Sequence, residues 1–208
     1  METPVFLPVH CRNGPERVPN RYRRRRDKSV IHWLNLHIDQ SSLLWLLPIL
    51  FMFHDFEEIL TVESWGIKHG PGVEAALSAG KWNPYRSMLR MTTRNFAADV
   101  LFVYILVVAV TGAAVFFSFY WLYLAVLAVF LLHVFTHLGQ SIVLKIYTPG
   151  VVTAVLVAFP YSLYAFYRLL NDDTVSWADV CWSLLLMALL APLIVWGLVK
   201  SRQRHKPV

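Results

Sequence analysis

Four stretches of roughly twenty residues dominate this chain, and each holds at most one Asp, Glu, Lys or Arg: Phe96–Phe117, Trp121–Leu144, a run ending near Leu170, and Trp177–Val199. A helix of that length spans about 30 Å, the thickness of a bilayer's hydrocarbon core. Ionised groups are excluded from such a medium at roughly 2.5–3.5 kcal/mol each at a helix centre. Charged residues make up 15% of the chain, against about 25% in a typical soluble domain. They also gather at the ends: of the 19 Lys and Arg residues, eight precede Ser41 and four follow Val199. The expected fold is all-α, a polytopic transmembrane bundle of about five membrane segments.

The first segment, Ser42–Val62, is the irregular one. Its uninterrupted apolar run, Leu43–Phe53, is short for a span, and His54, Asp55, Glu57 and Glu58 follow at once. It either crosses or turns back as a re-entrant hairpin. Beyond it, Gly66, Gly70, Pro71 and Gly72 predict a long loop over 61–95, with a short helical stretch from Val73 and a turn at Asn83-Pro84. Few residues separate the second and third spans, which predicts an antiparallel hairpin. Pro149 suits the first turn of the fourth helix, and Asn171-Asp172-Asp173 form the turn into the fifth. The organisation expected is a basic, poorly ordered tail over 1–41, a transmembrane domain over 42–200, and a basic C-terminal tail over 201–208.

The net charge of +6 and the run Arg21–Arg26 invite a nucleic-acid reading. No nucleic-acid-binding module is discernible, and a juxtamembrane basic cluster more commonly lies against anionic lipid. The expected partners are therefore membrane lipids and no nucleic acid, in the plasma (inner) membrane with the N-terminal tail cytoplasmic. Five crossings divide the basic residues nine against ten, whereas a re-entrant first segment would put 18 of 19 on one side. Cys11 and Cys181 define no redox compartment, and no signal-peptide pattern precedes Leu43. Oligomeric state is not legible.

Chemistry concentrates in a few polar positions. His54, Glu57 and Glu58 follow i, i+3, i+4 spacing and project from one helix face. Adjacent carboxylates in or near hydrocarbon are costly unless protonated, paired or bound to metal. Taken alone, they would also fit a helix end reaching the headgroups. His133 and His137 stand one turn apart on another helix, with Gln140 and Ser141 continuing their stripe, and two histidines so spaced can chelate one ion. Counted from Ser42 and from Trp121, His54 and His133 lie at about the same depth, ~18 Å, and Glu58 and His137 at ~24 Å. Thr92, Asn95 and Asp99 share a face at the same end of the second span, and Tyr147 leaves the third span there. Arg86, Arg90 and Arg94 form a basic stripe able to steer an anionic substrate or to face headgroups.

His54-Asp55-Phe56-Glu57-Glu58 resembles the defining motif of the HXXEE family of small membrane proteins. His133-x-x-x-His137 and Tyr147-Thr148-Pro149-Gly150 look like that family's later landmarks, so the resemblance covers roughly Leu43–Leu170. The family is functionally uncharacterised. The resemblance therefore supports the choice of residues and implies no reaction.

The leading expectation is a membrane-embedded metal-dependent hydrolase acting on a lipid or lipid-linked substrate. His54, His133, His137 and Glu58 would hold a divalent ion, zinc or alternatively iron, with Asn95, Asp99, Gln140 and Tyr147 in support. Glu57 and Glu58 would be the catalytic carboxylates: Glu58 on the metal, Glu57 as general base towards a water whose pKa zinc lowers to near 7, the two being exchangeable. One alternative is a non-enzymatic membrane metal-binding or transport protein, although no repeat symmetry supports transport. Another is a metal-independent glutamate protease of the CAAX-processing kind, which the Glu pair superficially resembles. That family expects Arg four residues after the pair, where this chain has Val62.

Overall fold

The computed structural model describes residues 30–77, 89 and 91–204, with the side chains of 30–75, 89 and 91–190, and every element among them is helical. Residues 1–39 form one unit and 40–208 another. In the first unit, α1 (Val30–His37) is a two-turn helix in which His37 Nδ1 lies 2.8 Å from the Trp33 carbonyl and the two rings stack. The second unit comprises α2 (Gln40–Leu77), α3 (Thr93–Phe117), α4 (Tyr120–Leu144), α5 (Val151–Asn171) and α6 (Trp177–Arg204).

Three of these, α3, α4 and α5, are long and apolar enough to cross a membrane, and α6 opens with a shorter apolar stretch, Trp177–Leu190. Their outward faces carry Leu101, Phe102, Ile105, Leu132, Phe135, Ile142, Leu156 and Leu185, all more than half exposed. A soluble protein seldom exposes so many large apolar side chains. The expected all-helical, membrane-type architecture is what the chain adopts.

The long-loop expectation after Thr61 is overturned. α2 runs unbroken for 38 residues, about 57 Å at 1.5 Å per residue, and contains no hairpin. Among its buried positions, Leu44, Leu47, His54, Val62, Gly66, Gly70 and Val73 recur at intervals of three, four, seven or eight residues along the helix, which is one stripe of a packed helix. Gly66 sits in that stripe because a Cβ there would meet the Leu89 carbonyl oxygen at 2.8 Å. It serves close approach rather than a turn. Pro71 is tolerated because it and Ile67, whose carbonyl it deprives of a donor, lie on the exposed side. The predicted turn at Asn83-Pro84 lies outside the described residues.

Pro48 removes the other donor within α2, and here the deprived carbonyl is buried. The Tyr123 hydroxyl donates to the Leu44 carbonyl at 3.4 Å, the Tyr161 hydroxyl donates to the Leu43 carbonyl at 3.0 Å, and the two hydroxyls are 2.9 Å apart. Tyr123 from α4 thus serves the Leu44 carbonyl that Pro48 deprives, and Tyr161 from α5 reaches the neighbouring Leu43 carbonyl. In α5, the turn Ala154–Ala158 widens to a π-helix just before Pro160, which has no N–H for an α-helical bond. At one end of the bundle Gln40 Nε2 donates to Tyr120 Oη (2.9 Å), and Trp121 Nε1 to Asp179 Oδ1 (3.1 Å). α2, α4 and α6 therefore start together and run parallel. Ser176 and Asp179 close a reciprocal cap on α6.

Candidate metal centre

Because α2 and α4 start level, residues at equal distances along them meet. His54 and His133 both lie about 20 Å along their helices from the Gln40–Tyr120 contact, and their ring centroids are 5.4 Å apart. His137, one turn further on, places its ring 5.1 Å from His54 and 4.2 Å from His133. The two Nε2 atoms on α4 are 2.8 Å apart. Glu58 Oε1 lies 2.9 Å from His137 Nε2 and 3.7 Å from His133 Nε2. His54 and His137 are buried, while the His133 side chain is 41% exposed.

One donor atom from each of His54, Glu58, His133 and His137 falls within 4.8 Å of all the others. Ligands about 2.0–2.1 Å from a tetrahedral ion stand roughly 3.3 Å from one another, a value that the 2.8–3.7 Å spacings among His133, His137 and Glu58 bracket. The donor chemistry suits one as well. His54 Nε2 is buried without a hydrogen-bond partner, a costly state unless its lone pair has another use. His137 Nδ1 is buried and unpartnered too. The group could hold a metal ion through imidazole nitrogens and a carboxylate oxygen.

The two glutamates diverge. Glu58 faces the histidines, whereas Glu57 reaches the start of α5. Its Oε1 accepts from the Tyr147 hydroxyl (2.6 Å) and the Val152 N–H (3.4 Å), and its Oε2 from the Thr153 N–H (2.7 Å) and hydroxyl (2.5 Å). A helix leaves its first N–H groups unpaired and partially positive, and Glu57 caps this one from a neighbouring helix. Glu63 does the same for α3, accepting from the Thr93 N–H at 2.6 Å. Tyr147 is fastened from both sides, since its carbonyl accepts from Trp65 Nε1 at 2.5 Å. Lost hydration and the Glu57 carboxylate push its hydroxyl up to about 12. It stays protonated and donating throughout the physiological range.

Gly150 lets α4 turn into α5 against the cluster. Its φ of +83° favours glycine, and a Cβ would meet Glu58 Oε1 at 2.7 Å and His137 Cε1 at 2.8 Å. α5 accordingly begins at Val151, with Pro149 outside its first turn. Ser141 and the buried Thr148 join their hydroxyls at 2.6 Å and pin the connection.

A cavity of about 490 Å³ adjoins the cluster. Glu58, His133 and His137 form its polar wall, and Val62, Trp65, Val73, Phe96, Phe135, Val143 and Leu144 much of the remainder. Gln140 lines it as well. Asn95 and Asp99 do not: Asn95 is exposed on the first turn of α3, where its N–H is capped by Thr92 Oγ1 (3.3 Å), and Phe96 is the residue α3 contributes. Arg94 is exposed. Arg86 and Arg90 lie outside the described residues. Thr153 is the participant that the sequence reading did not single out, whereas Gly150 stood in the Tyr147-Thr148-Pro149-Gly150 landmark. The visible signal for Thr153 was its place at the start of the helix after that landmark.

An all-helical, membrane-type bundle with a His/Glu group able to hold a metal ion is thus the class to which this chain belongs. More specifically, it is a member of the family described as proteins of unknown function with HXXEE motif, whose model matches residues 45–165, more than half of the chain. No curated protein and no solved structure matches it.

Proposed function

We propose that this chain is a membrane-embedded metal-dependent enzyme, a hydrolase whose substrate is a lipid or lipid-linked molecule. The observation that carries the reading is the junction of the His54–Glu58–His133–His137 group with a largely apolar cavity. An acyl or prenyl chain would be at home among Val62, Trp65, Phe96, Phe135 and Leu144, and its polar end would then lie at the cluster. The three histidines suffice to hold the ion. Glu58, in the cavity wall, is the carboxylate placed to accept a proton from whatever occupies the cavity. Zinc fits the donor set, with iron as the variant. When bound, the metal would supply Lewis acidity and an acidified water. Glu57 has its oxygens engaged at the start of α5, so we assign it to positioning rather than to proton transfer. The N-terminal arginines are taken as cytoplasmic, against anionic lipid of the inner membrane.

One observation favours a second reading. Four protein donors close a tetrahedral zinc site, as in structural centres, which fits a non-catalytic metal-binding or transport protein. Metal analysis of detergent-purified wild type beside His133→Ala, followed by hydrolysis assays on ester, amide and phosphate lipids with Glu58→Gln as control, separates the cases. Metal in wild type, lost in His133→Ala, and hydrolysis lost in Glu58→Gln support the enzyme. Metal bound without any Glu58-dependent hydrolysis supports the second reading. Equal metal content in wild type and His133→Ala ends both.

A further inference from the structure

We infer that Thr153 is a positioning residue that fixes the tautomer of His54, with Glu57 as its anchor, so that His54 presents Nε2 to the ion. The inference rests on the metal-centre reading above and concerns groups outside the ligand set.

The assignment follows from counting protons. Glu57 receives four hydrogen bonds, two on each oxygen, from Tyr147, Val152 and the N–H and hydroxyl of Thr153. Every partner is a donor, so the carboxylate acts purely as acceptor. A threonine hydroxyl has one hydrogen, and the 2.5 Å contact to Glu57 Oε2 uses it. The Gly150 and His54 carbonyls, at 3.4 and 3.5 Å, are acceptors and compete for that hydrogen only at longer range, so towards His54 Nδ1, at 2.9 Å, Thr153 Oγ1 accepts. The proton therefore resides on Nδ1, and Nε2 carries the free lone pair. Nε2 is also the His54 atom that is buried without a partner. One imidazole edge is held by a hydroxyl–carboxylate pair while the other is bare.

This is the work that groups behind a metal ligand do: they fix ring orientation, settle the tautomer and raise ligand basicity. The helix supplies rigidity. Thr153 lies in the first turn of α5, directly before the π-helical turn Ala154–Ala158, and Glu57 is bound to the same turn's N–H groups. His54 and Glu57, on one face of α2, thereby share Thr153 as a partner on α5. The i, i+3 spacing serves a ligand and its support rather than two ligands.

The experiment uses the full chain in detergent, with Zn²⁺ affinity measured by chelator competition for wild type, Thr153→Val and Thr153→Ser. Valine keeps the shape and removes the hydroxyl, and serine restores it. Thr153→Val should bind Zn²⁺ about 10–100-fold more weakly and Thr153→Ser within about threefold of wild type. Equal affinity in wild type and Thr153→Val overturns the inference while leaving the metal centre standing. Wild type binding no more tightly than His133→Ala removes both. Should Thr153→Val not fold, ¹¹³Cd-loaded wild type with ¹⁵N-labelled histidine decides. Cadmium coupling at His54 Nε2 with Nδ1 protonated supports the assignment, and coupling at Nδ1 overturns it.

Discussion

Two adjacent glutamates with one chemistry have different partners, and the difference lies in a single step of helical rotation. Glu58 points along the stripe that meets α4, and Glu57 is turned towards α5. Substituting the half-exposed His133 by Ala should abolish metal binding while the melting temperature without metal shifts little. The apolar contacts that pack the bundle do not involve the ion. Retained metal content by mass spectrometry would contradict this. Bound metal requires neutral imidazoles, and protons compete for the same nitrogen lone pairs. Affinity should therefore be full at alkaline pH and decline as pH falls into the acid range. A pH-independent affinity between 5 and 8 would be inconsistent with histidine ligation. Gly150→Ala should act on both levels. It imposes a positive φ on alanine, at a cost of roughly 1–2 kcal/mol, and drives a methyl group against Glu58 and His137. Lower stability together with weakened metal binding is expected, and a thermal melt with chelator competition reads both.

At the level of elements, the most informative helix is the one whose glycines and prolines suggested that it should end. α2 continues past Gly66 and Gly70 because those positions fall on its packed face, where the absence of a side chain lets backbone approach backbone. Local composition cannot distinguish a glycine that ends a helix from one that seats a neighbour; only the partner surface does. Pro48 illustrates the same dependence. The Leu44 carbonyl it deprives accepts instead from Tyr123 of α4. Tyr123→Phe should cost about 1–3 kcal/mol, the usual penalty for a buried group left unpaired. In a Pro48→Ala background, where an N–H is restored to the Leu44 carbonyl, the same substitution should cost less. A double-mutant cycle measured by thermal unfolding in detergent tests this, and strict additivity would show that the tyrosine does not serve that carbonyl.

For the whole molecule, α2 is about twice as long as a hydrocarbon core is thick, and the cluster lies some 10 Å from the C-terminal end of α4. The site therefore belongs to one end of the bundle, and the cavity beside it is walled from α2, α3 and α4 at that end. The arginines at 21–26 precede all of these elements. Replacing them with glutamine should alter insertion or orientation, read by protease accessibility of terminal tags, while metal content per inserted molecule stays unchanged. Loss of metal with unaltered topology would assign them to the site instead.

Apolar run length determined the helical membrane-type class, since only a helix satisfies its own backbone over twenty residues without water. Helical periodicity placed His54 with Glu58, and His133 with His137, on common faces. Equal depth along parallel helices was enough to predict that the two pairs meet. What the tertiary structure decided was which groups complete those pairs. Thr153 reaches His54 from 99 positions further along the chain, and the start of α5 draws Glu57 away from Glu58. The π turn, the pinned Tyr147 connection and the close approach at Gly66 depend likewise on partners distant in sequence. Periodicity encodes the face a residue occupies, because that is local geometry; the neighbour that will fill that face is set by packing between helices, and no local pattern carries it.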